Sequence, residues 1–90
     1  MSEIARTVLV SNKRGLHARA SAKFVTLASG HSAAIEVEKD GSCVAGTSIM
    51  GLMMLGAAMG DQVTIKAAGD DADQALDALC GLVEAKFGEE

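Results

Sequence analysis

Ninety residues, 49% of them apolar but with only two aromatics, suit one modest hydrophobic core and are too few for two. A net charge of −4 argues against DNA or RNA as partner, because a phosphate backbone attracts a cationic face, and Phe24 and Phe87 alone make no platform for stacking bases. Cys43 and Cys80 lie far apart and nothing in residues 1–10 reads as a signal peptide, so a reducing, cytoplasmic setting is expected, with both thiols inert inside apolar patterns.

Residues 4–10 carry Val8 and Val10 at alternate positions and read as a strand with one inward face. Residues 12–15 are polar and end in glycine, which marks a loop. From Ala18 the spacing turns helical: Phe24, Val25 and Ala28 recur on one stripe flanked by Ala20 and Leu27, and Gly30 stops it. Residues 33–38 alternate, with Ile35 and Val37 opposite Glu36 and Glu38. Asp40 and Gly41 then supply a tight turn into a partner strand at residues 42–45.

Residues 41–60 hold no charge, yet the glycines, serines and threonine that interrupt them exclude a membrane span. Within them, residues 47–55 read as a short helix with Thr47 or Ser48 as N-cap. Leu52 and Leu55 share one face; Ile49 and Met53 share another, with Met50 beside them. A helix apolar on nearly all sides is either wholly buried or offers one side to a partner, and adaptable methionines favour the partner. Residues 61–67 alternate again through Val63 and Ile65, and Gly69 breaks them. Residues 71–87 form the clearest helix, with Leu76, Leu79, Cys80, Val83 and Phe87 in one stripe and Asp70, Asp71 and Asp73 at its start, where the helix dipole favours negative charge. Three amphipathic helices and four strands in the order βαββαβα give an α+β two-layer sandwich: one sheet face is covered by the helices and the other meets water. The pattern leaves the strand order open.

The stretch N-K-R-G-L-H-A-R-A, residues 12–20, places His17 and Arg19 after a glycine and at a helix start. A neutral imidazole is a nucleophile toward phosphorus, and it forms a phosphoramidate. Arg19 and the amides opening the helix would supply charge and donors for the incoming group, while Gly15 lets the chain turn sharply. On its own, a histidine at such a junction is more often a simple cap. Metal binding is not expected: His31 is the only other histidine, without ligand spacing around it, and a surface position explains it. Ser48 reads first as an N-cap hydroxyl, though a phosphate there would put about −1.5 to −2 charge beside the Ile49–Met50–Met53 patch. No P-loop, paired catalytic carboxylates or hydrolase triad is present in the sequence.

G-L-H-A-R at residues 15–19, continued by Ser21, Ala22, Lys23, Phe24 and Val25, resembles the active-site segment of HPr, the histidine-containing phosphocarrier of the bacterial phosphoenolpyruvate-dependent phosphotransferase system. S-I-M-G-L-M-M-L-G at residues 48–56 resembles the regulatory-serine helix of that family. The resemblance covers essentially the whole chain. It implies an open-faced β-sandwich with a four-stranded antiparallel sheet under three helices, making residues 1–90 one phosphocarrier domain. It also implies a His17 phosphorylated at Nδ1 by phosphorylated enzyme I, which hands the group to an enzyme IIA component. Arg19 would steady the phosphate, and Ser48 would be the target of an HPr kinase/phosphorylase in bacteria that have one. Ile49, Met50 and Met53 would form the docking surface, with no cofactor or metal needed. Such a protein is a covalent intermediate in phosphoryl transfer rather than an enzyme with its own small-molecule turnover, and is expected to be a monomer with transient partners. Rapid exchange leads one to expect an exposed His17 loop. A regulatory binding module that uses the same surface without relaying phosphate is the alternative. The family usually has proline where this chain has Ala20, and H-A-R-A-S-A-K-F looks more like the nitrogen-related branch, NPr, than the sugar-transport form.

Overall fold

The computed structural model describes residues 3–89. Its elements run β1 (Glu3–Leu9), α1 (Ala18–Ser29), β2 (Ala34–Lys39), β3 (Ser42–Ala45), α2 (Ile49–Met54), β4 (Gln62–Ala68) and α3 (Ala72–Glu84), followed by a single 3-10 turn at Lys86–Gly88. The four strands form one antiparallel sheet in the order β1-β4-β2-β3. This is the open-faced βαββαβα sandwich expected from the sequence.

Alternation decides which face is covered. Val8 lies opposite Val63, and Val37 opposite Ile65, so these side chains share one face with Ile35 and Ala67. They join Phe24 and Ala28 of α1, Leu52 of α2 and Leu76, Leu79, Cys80 and Val83 of α3 in one core. The outer face is polar. The hydroxyls of Thr7 and Thr64 pair across strands at 2.9 Å, and Lys66 reaches Glu38 at 2.7 Å. Asp40 (φ 51°) and Gly41 (φ 86°) turn β2 into β3 in the left-handed conformation that this two-residue hairpin requires.

Two expectations change and a third is refined. The last helix stops at Glu84 rather than reaching Phe87: Lys86 and Phe87 take φ of 59° and 56°, and the reversed chain brings Phe87 back into the core, 1% exposed. Asp71 stands at the start of α3 as expected, but its carboxylate makes no cap hydrogen bond there. It accepts instead from the amides of Ser32 and Ala33, from the Ser32 hydroxyl and from His31, lashing the α1–β2 loop to the start of α3. Cys80 is buried, but Cys43 is exposed, because it sits on edge strand β3 opposite Glu38 and shares that residue's open face.

Candidate functional site

The β1–α1 loop is fixed against residues 57–61. Val10 donates its amide to the Asp61 carbonyl and accepts from Gly60, both at 2.8 Å, and the amide of Leu16 bonds the Ala57 carbonyl at 3.0 Å. Gly15 sits at φ 63° with its Cα facing the Ala57–Ala58 backbone, where a side chain would collide. Glycine is required here on both counts. Leu16 is buried, and its carbonyl accepts from the fully buried Ser21 hydroxyl, so the residue after it is delivered to the start of α1.

That residue is His17, and it is the N-cap of α1. Its Nδ1 accepts from the amide of Arg19 at 3.2 Å, and its carbonyl accepts from Ser21. The cap and the candidate nucleophile are therefore the same ring. A neutral imidazole that accepts at Nδ1 carries its proton on Nε2, and Nε2 faces the Glu89 carboxylate. The other oxygen of Glu89 accepts from Asn12 Nδ2 at 3.1 Å; Asn12 is fully buried and also bonds the Gly15 carbonyl at 2.9 Å. The His17 hydrogen bond, followed by the bond from Asn12 and the charge of Arg14, holds the Glu89 carboxyl below the usual range against the opposing effect of burial.

His17 is thus not freely exposed as expected: its side chain is 14% exposed, because Glu89 covers it. Arg19 lies exposed on the first turn of the same helix. His31 is not a bare surface residue either, since Nδ1 pairs with Asp71 at 3.0 Å. Among the described residues no cluster of His, Cys, Asp and Glu could hold a metal ion, and no helix is long and apolar enough to cross a membrane.

Ser48 caps α2, its hydroxyl accepting from the Gly51 amide at 3.0 Å. Leu52 and Leu55 point inward, while Ile49, Met50 and Met53 are 40%, 67% and 41% exposed. Met54, 80% exposed, extends this apolar surface. It lies four residues after Met50, a spacing that could have revealed it. Helix α2 packs on α1, so the cap of one and the patch of the other belong to one two-helix layer.

A family model described as "PTS HPr component phosphorylation site" matches residues 4–85. The chain belongs to the HPr family. It is 45% identical over 89 residues to the phosphocarrier protein NPr of Shewanella violacea, covering 99% of this chain and 98% of that one. It is 43% identical over 86 residues to the phosphocarrier protein HPr of Cupriavidus necator, covering 96% and 97%. The fold matches the crystal structure of HPr-C-His from Thermoanaerobacter tengcongensis with a TM-score of 0.91 and 50% identity, covering 100% of this chain and 99% of that one. HPr-family proteins act in phosphoryl transfer with other components of the phosphotransferase system. The contacts that join His17, Glu89 and Asn12 are not legible in sequence spacing. Glu89 lies outside the matched segment and 72 positions from His17, so only the folded chain brings them together.

Proposed function

We propose that the chain, as one phosphocarrier domain, accepts a phosphoryl group on His17 Nδ1 from phosphorylated enzyme I and donates it to an enzyme IIA component. The observation that carries this reading is the ring at the start of α1, with Nδ1 bearing a lone pair aimed at the Arg19 amide. Attack on phosphorus would withdraw that lone pair from the amide, and the same N–H would then donate to a phosphoryl oxygen at the positive end of the helix dipole. Arg19, exposed on the first turn of α1, supplies a charge that can follow the group between partners. Ile49, Met50 and Met53 form the docking surface. Ser48 is the regulatory site in a host with an HPr kinase/phosphorylase: a phosphate there places charge at the edge of that surface. The protein works as a cytoplasmic monomer.

Incubation with phosphoenolpyruvate and enzyme I tests the core of this. Intact mass should show a single acid-labile phosphate on the wild type and none on His17→Ala. An unmodified wild type, or a fully modified variant, would sink the carrier reading.

A further inference from the structure

The segment after α3 adopts a backbone that needs a reason. Lys86, Phe87 and Gly88 take φ of 59°, 56° and 78° in succession, a left-handed region that sterics disfavour for Lys86 and Phe87, which carry a Cβ. Two contacts hold it there: Phe87 is buried in the core, and Lys23 Nζ of α1 donates to the Phe87 carbonyl at 2.7 Å. The outcome of the reversal is the position of Glu89. One carboxylate oxygen meets His17 Nε2 and the other is fixed by Asn12, which is itself pinned to the Gly15 carbonyl. The ring is gripped at both nitrogens, from its own helix at Nδ1 and from Glu89 at Nε2.

We propose that Glu89 is a positioning residue for phosphoryl transfer at His17: it holds the Nε2 proton, keeps Nδ1 as the nucleophile, and balances the positive charge the ring acquires. This rests on the carrier reading above. In the step, the Nδ1 lone pair forms the N–P bond while the bond from phosphorus to the donor atom breaks, its electron pair leaving with the donor. The Nε2 proton stays in place and none is released, so the phosphorylated ring carries a formal positive charge next to a carboxylate. A carboxylate supports an imidazolium in the same way in acyl-transfer triads. In the reverse direction, release of the group to an acceptor returns the ring to neutrality without a proton having to move.

The test compares the full-length wild type with Glu89→Gln, Glu89→Asp and Glu89→Ala, using phosphoenolpyruvate and enzyme I. Gln and Ala should lower the transfer rate at saturating donor by about ten- to a hundredfold, with half-saturation by the donor unchanged, and Asp should recover part of the loss. Proton NMR of 15N-histidine-labelled protein should show a downfield, solvent-protected Nε2–H in the wild type that moves upfield in Glu89→Gln. The variants retain the Phe87 anchor, and an unchanged melting temperature separates the effect from unfolding. Equal or faster transfer in Glu89→Ala overturns the proposal, because the carboxylate would then only cover the ring. A wild type that takes no phosphate overturns the carrier reading and this role with it; a wild type modified no faster than Glu89→Gln overturns the role of Glu89 alone.

Discussion

At position 15 a single methyl group would meet two obstacles: a φ of 63° and the backbone of Ala57 and Ala58. Gly15→Ala is expected to lower stability by about 2–3 kcal/mol, measured as a shift of the urea midpoint, since left-handed strain and a steric clash act together. A change within about 0.5 kcal/mol, the range of an ordinary surface substitution, would show that the loop has room to yield. At position 20 the chain departs from the usual proline. Ala20 is fully buried in the first turn of α1, and the amide that bonds the His17 ring belongs to Arg19 instead. The substitution therefore leaves the cap of the helix untouched, and its consequence is an extra N–H donor at the helix start.

Among the elements, α2 carries the sharpest division of labour. Its six residues bury Leu52 under the sheet and leave Met50 and Met54 in solvent, although all are apolar. Burying an exposed methionine side chain in a complex contributes about 1.5–3 kcal/mol, so a charge at that place opposes binding without disturbing the core. Met50→Asp should weaken the affinity for enzyme I at least tenfold, read by calorimetry, and leave the melting temperature within a degree or two. Unchanged affinity would remove Met50 from the docking surface. The Ser48 hydroxyl stands beside this patch and already has a structural task as N-cap, so its phosphorylation would exchange a helix cap for a charge.

On the scale of the molecule, Asp71 ties the α1–β2 loop to the start of α3, and that tie depends on pH. Burial pushes its carboxyl up, but the donors from Ser32, His31 and Ala33 outweigh it and hold the carboxyl below the usual range. A folded-state value below the unfolded one means stability present above the unfolded pKa and lost as pH falls through the folded one. The melting-temperature advantage of the wild type over Asp71→Asn should therefore be full at pH 7 and shrink from roughly pH 4 downward. An advantage that stays flat to pH 3 would contradict the role. Much of this architecture was legible in the chain: Val8, Ile35, Val37, Val63 and Ile65 alternate, Phe24 and Ala28 share a stripe, and Asp40-Gly41 marks its turn, because period and turn chemistry are local properties. His17 and Arg19, and separately Ser48, stand out as candidates because each lies in a contiguous motif. The reversal at Lys86–Gly88 was not legible, since burial of Phe87 overrides the helical spacing that would have continued α3. Nor were the exposure of Cys43, which follows from the edge position of β3, the second duty of Asp71, or the meeting of His17 with Asn12 and Glu89. Local pattern was enough for the order of the elements, most of their inward faces and the candidate nucleophile. Tertiary structure decided the strand order and which distant carboxylate faces each histidine, because contacts between residues far apart in the chain are set by packing and not by periodicity.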